Sequence, residues 1–408
     1  MERLMRAFMR ASNHQRPQVS RNGRDSLVSF AQRLVRTPSL STQEGEVAQV
    51  VREELSRLGV GGAWVDRVGN VVARIGNEAG PTLLFNAHMD TVAVTDPGAW
   101  EHDPHGGVVK NGVLYGLGAT DMKGAVAAMV YAAGLLQPYA DALKGSAVFA
   151  FVVQEEPCEG MAMRVLVEEE GVRPAWVVLG EPTDLQVSRG HRGRVMLKVT
   201  TYGRSSHGSQ PEQGDNAVYS AARLIFGVEM MAGTLGNDPV LGPGTVALTQ
   251  ISSRSASLNA VPDQCTFYLD RRLTLGETPG GALMQVEALI ARENIQATVE
   301  ITRYCGQSYT GYACEVEEAF PAWALDADHP LVVRFRQSAA HVLGHQPRIT
   351  HWDFSTDGVY TAGVANIPTV GFGPGDPNRA HTTREQVRVK DLWRAAEVYA
   401  AFALDMLT

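Results

Sequence analysis

The chain has 408 residues, a length that suggests two to three domains. Its residues are 44% hydrophobic and 20% charged, which is typical of a globular protein. The net charge of −8 argues against nucleic acid as the main partner, and no apolar run is long enough to span a membrane. The four cysteines are scattered without a CxxC pair, which argues against a thiolate zinc site and is typical of a cytoplasmic protein.

The chain is predicted to begin with a basic extension followed by two helices. Residues 1–25 are rich in arginine and predict a flexible extension, with a targeting segment as the alternative. Apolar residues at helical spacing predict a helix over Asp25–Arg36, which Pro38 ends. Ser41–Glu44 has the pattern of a capping box for a second helix, which ends near Gly59.

Apolar strands alternate with helices over the next part of the chain. Strands are predicted at Val71–Ile75, Thr82–Asn86, Ala147–Val153 and Trp176–Leu179. Helices are predicted between the later strands, at Gly124–Leu136 and Gly160–Glu170. This alternation predicts an α/β fold with a mixed or parallel central sheet.

The pattern changes near Arg194 to a βαββαβ order. Its strands are predicted at Val195–Tyr202, Thr245–Ile251, Gln264–Leu273 and Gln296–Arg303, and its helices at Asn216–Met231 and Gly281–Asn294. A helix, a strand and a final helix follow at Pro330–Leu343, Ile367–Phe372 and Asp391–Asp405. The sequence therefore predicts an α/β domain, residues 26–193 and 305–408, interrupted by an inserted α+β domain, residues 194–304.

Acidic and histidine side chains stand where the apolar strands end. They are His88 and Asp90, Asp121, Glu155 and Glu156, Glu181, and His381. Taken singly, several of them have an ordinary interpretation. Asp121 would begin a helix, Glu155 and Glu156 would form a solvated acidic pair, and His381 would lie in a surface loop. Together they favour one site, because strand ends of an open α/β sheet meet at one edge.

These residue types are ligands for divalent cations such as zinc. Five ligands suit two ions about 3.5–4 Å apart that share one carboxylate. Asp121, which lies between His88 and the later candidates in the chain, is the best candidate to bridge, with His88 and Glu181 completing one ion and Glu156 and His381 the other. A water between two cations would be acidified to hydroxide near neutral pH.

Two carboxylates remain for other roles. Asp90 lies two residues from His88 and is expected to bind the second ring nitrogen of that imidazole. Glu155 is expected to act as general base, taking a proton from the water and delivering it to the leaving nitrogen. The remaining histidines are predicted to lie at the surface, among them His191 and His345.

The motifs "AHMDTV", "GLGATDMKGAVAAMV", "VVQEEPCEGM", "LGEPTDL" and "AHTTREQV" occur in one order. In this order the chain resembles the dizinc amidohydrolases that include aminoacylase, acetylornithine deacetylase, succinyl-diaminopimelate desuccinylase and carboxypeptidase G. The resemblance runs from about Ser26 to the C-terminus and is nearest to the branch called selenium-metabolism-linked hydrolases. It implies a zinc-exopeptidase-like catalytic domain, a lid domain that forms a homodimer, and a cis peptide bond between Asp121 and Met122.

The resemblance also implies substrate-binding residues. His207 would stabilise the oxyanion from the partner subunit. Asn259 and Arg272, the latter favoured over Arg271, would bind the substrate carboxylate. Gly373 and Gly375 would let the backbone approach a ligand closely.

The expected activity is hydrolysis of an amide bond in a dipeptide or an N-acyl amino acid with a free carboxylate, by metal-activated hydroxide. Two zinc ions are expected as cofactors, with cobalt or manganese as substitutes. A carboxypeptidase-like or carbamoyl-amide hydrolase is the alternative, and a metal-binding protein without turnover is a further one. Neither nucleic acid nor membrane is expected as a partner.

Overall fold

The structure is a computed structural model that describes residues 17–408. The α-helices of this part are α1 (Arg21–Arg36), α2 (Gly45–Arg57), α3 (Lys123–Leu136), α4 (Met161–Arg164), which a π-helical turn, Val165–Glu169, continues, α5 (Ala217–Ala232), α6 (Pro279–Glu293), α7 (Pro330–Leu343), α8 (Gly358–Thr361) and α9 (Val389–Leu407). Within residues 17–408, no helix combines the length and apolarity needed to cross a membrane.

The strands fall into one large sheet, one five-stranded sheet, one three-stranded sheet and two strand pairs. They are β1 (Trp64–Val65), β2 (Val71–Gly76), β3 (Thr82–His88), β4 (Val108–Lys110), β5 (Val113–Tyr115), β6 (Ser146–Val152), β7 (Pro174–Leu179), β8 (Val187–His191), β9 (Gly193–Tyr202), β10 (Asn237–Asp238), β11 (Gly242–Pro243), β12 (Thr245–Arg254), β13 (Gln264–Leu273), β14 (Ala297–Ile301), β15 (Arg303–Gln307), β16 (Ala313–Glu317), β17 (Ala319–Phe320), β18 (Trp323–Ala324), β19 (Ile349–Trp352), β20 (Thr369–Gly371) and β21 (Gln386–Arg388).

The large sheet is mixed, as the sequence predicts. Its order is β1-β2-β6-β3-β7-β20-β8-β18, with β19 paired to β8. The central strands β6, β3, β7 and β20 run parallel, whereas β1, β2, β8 and β18 pair antiparallel with their neighbours on that path. Every residue of β3 and β6 is buried, as expected for parallel strands covered on both faces.

Helices cover this sheet and supply most of its core. The helix α3 is buried over almost its whole length, because small residues such as Ala125 and Ala128 let it pack closely against α1 and α9. Phe85 of β3 stacks on Phe149 of β6 with ring centroids 4.8 Å apart and meets Tyr399 of α9 edge-on. This packing fixes β3 and β6, the two strands whose ends carry most of the polar side chains discussed below.

The five-stranded sheet is antiparallel, in the order β12-β13-β9-β14 with β17 paired to β9. The strand β13 alternates half-buried and buried residues, and α5 and α6 pack on its buried side to form a second, separate core. The expected βαββαβ order is present, with the short β10–β11 pair inserted before β12. The domain boundaries stay a prediction. The strand β17, at residues 319–320, also joins this sheet, although it lies beyond the expected end of the inserted domain at residue 304.

Two expectations for the N-terminal region are wrong. Residues 1–16 of the predicted extension lie outside the described residues, but α1 begins at Arg21, so residues 21–25 are helical. Ser41–Glu44 does not form a capping box. The helix α2 begins only at Gly45, so Glu44 is itself the N-cap residue, and its side chain makes no capping hydrogen bond. Ser41 Oγ instead donates to the carboxylate of Asp90 at 2.7 Å.

His191 is also placed differently from expectation, because it is fully buried at the end of β8. Its ring packs edge-on against Trp323, and Nδ1 donates to the carbonyl of Arg192 at 2.8 Å. Burial lowers the pKa of His191 to about 4, so the ring is neutral at physiological pH.

The pH dependence of stability tests this burial. The unfolded chain protonates His191 near pH 6.5 and the folded chain only near pH 4, so the unfolded state binds more protons in between and stability falls as the pH falls through that window. On lowering the pH from 6.5 to 4.5, we expect His191→Gln to lose about 2 kcal/mol less unfolding free energy than the wild type, measured with urea. The exposed His345→Gln is the control, and equal pH slopes in all three proteins would contradict the burial.

Candidate metal centre

Four side chains of the centre lie at the carboxyl ends of neighbouring parallel strands. The strand β3 pairs in parallel with β6 on one side and with β7 on the other. His88 is the last residue of β3, Glu155 and Glu156 follow β6, and Glu181 follows β7. Because parallel strands end at the same edge of a sheet, strand pairing brings these side chains together.

Asp121 and His381 reach the same edge on loops. Asp121 lies just before α3, and its peptide bond to Met122 is cis, as the resemblance implies. The segment that carries His381 leads into β21, which pairs with β5. Thr120 Oγ1 donates to the carbonyl of Gln386 at 2.6 Å, so this segment is bound directly to the Asp121 loop.

Asp121 lies at the centre of the cluster and contacts both histidines. Its Oδ1 is 2.9 Å from His88 Nε2, and its Oδ2 is 3.3 Å from His381 Nε2. His88 Nε2 is 3.9 Å from Glu181 Oε1, and His381 Nε2 is 3.0 Å from Glu156 Oε2. Asp121 therefore joins a His88–Glu181 pair to a His381–Glu156 pair, and the role of all five as metal ligands stays a prediction.

The donor atoms fit divalent cations. Atoms bound to one zinc ion at about 2.0–2.2 Å stand roughly 3–3.5 Å apart, close to the separations around Asp121. His88 Nδ1 donates to the carbonyl of Asp90 at 3.0 Å, which leaves Nε2 as the ring nitrogen that faces the cluster. Glu156 Oε1 is buried and has no hydrogen-bond partner among residues 17–408, which marks it as an acceptor that awaits a ligand.

Glu155 lies beside this cluster and is buried. Single ligand-type atoms of Glu155, His88 and Glu181 lie within 4.8 Å of one another, as do those of His88, Asp121 and Glu156. Glu155 is therefore close enough to exchange a proton with a molecule held at the cluster.

Asp90 does not bind the imidazole in the way the sequence analysis expects. The acceptor of His88 Nδ1 is the main-chain carbonyl of Asp90, and the carboxylate Oδ1 lies 3.6 Å away. The carboxylate instead accepts the N–H groups of Glu155 at 3.1 Å and of Glu156 at 3.2 Å. Asp90 thus orients His88 through its main chain and the two glutamates through its side chain.

Burial makes the clustered carboxylates costly to ionise. Burial and the Glu181 carboxylate raise the pKa of Glu155, and burial raises the pKa of Glu156 and Glu181 in the same way. Burial acts against the charged imidazole of His88, but Asp121 and Asp90 outweigh it and raise the pKa of that ring. Positive charge between the carboxylates therefore stabilises the cluster.

The central aspartate and the exposed histidine shift each other in opposite directions. Burial alone would raise the pKa of Asp121, but hydrogen bonds from His381 and His88 lower it. Hydrogen bonds to Asp121 and Glu156 raise the pKa of His381 to about 10. Asp121 is therefore the carboxylate of the cluster that most favours its ionised form, as a bridging ligand requires.

Sequence reasoning missed Glu385 and Glu44, two buried carboxylates that accept main-chain N–H groups around the centre. Glu385 Oε1 accepts from Thr120 at 3.0 Å and from Asp121 at 2.9 Å, so it fixes the backbone of the central residue. Burial raises the pKa of Glu385 to about 8. The one sequence signal is its position four residues after His381, where an exposed loop glutamate is the ordinary interpretation.

The structure places His207, Asn259 and Arg272, three of the residues expected to bind substrate, at two ends of the five-stranded sheet. Arg272 faces Arg194 across the β13–β9 pair, and Arg194 forms a 2.7 Å ion pair with Glu159, close to Glu156 in the chain. His207 and Asn259 are exposed and adjacent, beyond the opposite end of β13, whose length is about 30 Å. Within one chain, therefore, the structure does not bring His207 and Asn259 together with Arg272.

Arg272 and Arg271 differ in availability. Arg271 is buried and pairs with Glu277. Arg272 keeps 28% of its side-chain surface exposed and pairs with Asp270 at 2.8 Å through Nε. Arg272 is the arginine that a ligand can reach without displacing a buried ion pair.

Gly373 and Gly375 lie close to protein backbone. A Cβ on Gly373 would stand 2.0 Å from the carbonyl oxygen of Gly180 and 2.5 Å from that of Glu181. Gly375 has a φ of 94° and accepts the N–H of Asp184 at 2.7 Å. These glycines allow the loop to pack against the Glu181 segment, and their contact with a substrate stays a prediction.

Comparison with known proteins gives matches along most of the chain. A family model described as peptidase family M20/M25/M40 matches residues 84–405. The YgeY protein of Escherichia coli (strain K12) is 36% identical over 93% of this chain and 94% of its own length. The succinyl-diaminopimelate desuccinylase of Thioalkalivibrio sulfidiphilus is 25% identical over 93% of this chain and 98% of its own.

Similarity extends to solved structures. The M20 family metallo-carboxypeptidase Sso-CP2 from Sulfolobus solfataricus superposes with a TM-score of 0.73 over 93% of this chain and 97% of its own, at 18% identity. This likeness shows the shared mixed α/β fold. The selenium-linked branch expected from the sequence stays a prediction.

Metal content separates the roles of His88 and Asp90. His88→Ala deletes a proposed ligand and is expected to retain about one zinc ion fewer per chain than the wild type. Asp90→Ala keeps the carbonyl that orients His88 and all five proposed ligands, but it frees the N–H groups of Glu155 and Glu156. We therefore expect it to bind zinc more weakly and still retain it through dialysis, while kcat falls about 10- to 100-fold. Zinc is counted by plasma mass spectrometry after dialysis. An Asp90→Ala protein as empty of zinc as His88→Ala would contradict the assignment of Asp90 as an orienting residue.

Proposed function

The chain belongs to peptidase family M20/M25/M40 and is a metallopeptidase or amidohydrolase, and we propose that it cleaves an amide bond next to a free carboxylate, in a dipeptide or an N-acyl amino acid. One observation carries this proposal: Asp121 joins a His88–Glu181 pair to a His381–Glu156 pair at the edge of the large sheet, with Glu155 beside them. A cluster of two histidines and several carboxylates at such an edge suits metal-assisted hydrolysis.

His88, Asp121, Glu156, Glu181 and His381 would hold the metal ions. Two bound cations would lower the pKa of a water molecule and polarise the substrate carbonyl. We propose zinc as the native metal, with cobalt or manganese as substitutes, because the donor atoms are nitrogen and oxygen.

Glu155 supplies the proton transfers in this proposal. Its raised pKa favours acceptance of a proton near neutral pH, and the acid form then delivers that proton to the leaving nitrogen. The Asp90 carboxylate accepts hydrogen bonds from the N–H groups of Glu155 and Glu156. These bonds fix the backbone from which the proposed base and the adjacent proposed ligand extend.

Arg272 is proposed to bind the free carboxylate of the substrate. A guanidinium binds a carboxylate through two parallel hydrogen bonds. Asp270 accepts from Nε and Nη2 of Arg272 in this way, so the substrate carboxylate would accept from Nη1 and from the second hydrogen of Nη2. The desuccinylase and carboxypeptidase names of the relatives support an acylated amino acid or a peptide as substrate.

We propose a homodimer formed through the five-stranded sheet and the helices that cover it. Its edge strand β12 and helix α5 expose large apolar side chains, with Tyr219, Phe226 and Met230 at helical spacing and Leu248 and Ile251 on the strand. His207 and Asn259, which lie away from Arg272, would then act in the site of the partner subunit. We also propose that the protein acts in the cytoplasm, where its four free cysteines stay reduced.

A substrate panel tests the activity. We expect zinc-dependent release of amino acids from dipeptides or N-acyl amino acids, and a fall in kcat of about 10²- to 10⁴-fold in Glu155→Gln with its metal content unchanged. The exposed Glu78→Gln serves as the matched control. Absence of turnover on the panel at full metal occupancy would rule out the proposed activity, whereas equal activity in Glu155→Gln would reject only the base assignment.

Mixing two inactive variants tests whether His207 acts across the dimer. In a mixed dimer of Glu155→Gln and His207→Ala, one site keeps Glu155 of its own chain and receives an intact His207 from the other. Random reassortment should therefore restore about a quarter of the wild-type activity. Glu155→Gln mixed with Glu181→Ala is the control, since every site then keeps a lesion. No restoration with His207→Ala would place His207 in its own site or outside catalysis.

A further inference from the structure

Three consecutive main-chain N–H groups after β6 each donate to a buried carboxylate. The N–H of Gln154 donates to Glu44 Oε1 at 3.0 Å, and those of Glu155 and Glu156 donate to the two oxygens of Asp90 at 3.1 and 3.2 Å. We call residues 154–156 the Glu155 turn. It carries the proposed base and a proposed ligand, so these hydrogen bonds set the directions in which both side chains leave the backbone.

The first residue of the Glu155 turn has an unfavourable backbone conformation. Gln154 has a φ of 55°, in the left-handed region that residues with a side chain seldom occupy. Such a residue persists where surrounding contacts determine it. Here the N–H of Gln154 is held by Glu44, and its side-chain Oε1 accepts a hydrogen bond from Tyr304 Oη at 2.7 Å.

Glu44 is completely buried, and its contacts with neighbouring residues of the chain account for only part of its hydrogen bonding. It is the N-cap residue of α2, yet its side chain makes no capping hydrogen bond. Its Oε1 accepts the N–H groups of Thr42 at 3.0 Å and of Gln154, while Oε2 has no hydrogen-bond partner within residues 17–408. A buried carboxylate with an unpaired oxygen destabilises the fold, which indicates a role other than stability.

The segment that carries Glu44 is attached to the strand that carries His88. The N–H of Thr91 donates to the carbonyl of Ser39 at 2.9 Å, and Ser39 Oγ donates to the carbonyl of Met89 at 2.7 Å. Ser41 of the same segment donates to Asp90. Residues 39–44 therefore connect the end of β3 to the Glu155 turn that follows β6.

We propose that Glu44 is a positioning residue, which fixes the presentation of Glu155 and Glu156 through the N–H of Gln154. This inference rests on the proposed function, because it takes Glu155 as the base and Glu156 as a ligand. Glu44 touches no reacting atom in this account. The role requires the acceptor atom Oε1 at its present distance from the N–H of Gln154, and it does not require the negative charge of the carboxylate.

Two substitutions of Glu44 separate geometry from charge. Glu44→Gln keeps an oxygen at the same reach and removes the charge, whereas Glu44→Asp keeps the charge and withdraws the oxygen by one methylene. We expect kcat of Glu44→Asp to fall about 10- to 100-fold with KM within about twofold, and kcat of Glu44→Gln to stay within about threefold of wild type.

A control variant tests general loss of stability. Glu397 is likewise a buried glutamate, and its Oε1 accepts the N–H of the distant Val19 at 3.1 Å. Glu397→Asp is expected to lower Tm about as much as Glu44→Asp and to keep the wild-type kcat. Wild-type kcat in Glu44→Asp, equal slowing in Glu44→Gln and Glu44→Asp, or equal slowing in Glu397→Asp would each overturn the proposal.

Binding of Co²⁺, followed by its visible absorption, gives a readout that does not need turnover. Because Glu156 belongs to the same turn, Glu44→Asp is expected to bind Co²⁺ at least about threefold more weakly than Glu44→Gln. If the wild type hydrolyses no panel substrate, that difference in Co²⁺ affinity still supports the positioning role while the proposed function fails. If the wild type is active and the two variants match it in both kcat and Co²⁺ affinity, the positioning role alone fails.

Discussion

Repulsion among carboxylates gathered at one buried sheet edge is the constraint on which the rest of this structure depends. Asp121, Glu156 and Glu181 converge with two histidines, and Glu155 lies beside them. Burial disfavours the charged form of each glutamate, so the ionised cluster is stable only with positive charge between its members. That requirement makes the edge a place for cations, and the same cations suit amide hydrolysis.

Main-chain N–H groups hold this cluster from the outside. Asp90 accepts two of them, Glu385 accepts two and Glu44 accepts that of Gln154, and these donors belong to the loops that carry Asp121, Glu155 and Glu156. Hydrogen bonds from backbone to a carboxylate are strong and directional. They fix the loops that parallel strand pairing alone would leave free, so the centre combines a rigid sheet with anchored turns.

The sequence predicts the fold and the members of the cluster at strand ends because both follow from local pattern, whereas Asp121 and His381 reach the cluster on loops. Apolar runs that end in His88 or Glu181 identify strands, and the parallel-strand rule places their ends together. The sequence does not predict which atom of Asp90 binds His88, because main chain and side chain of one residue compete at similar distance. The sequence does not predict the contacts of Glu44, Glu385 and His191, because their partners are distant in the chain and residue periodicity carries no information on such contacts.

We propose that Asp121 would bind both metal ions, and the metal content of Asp121→Ala tests this role most directly. The wild type is expected to hold about two zinc ions per chain after dialysis, as a dinuclear site requires. Since Asp121 contacts both histidines, Asp121→Ala is expected to lose both ions together. A folded Asp121→Ala protein that keeps one tightly bound zinc ion would contradict the bridging role of Asp121.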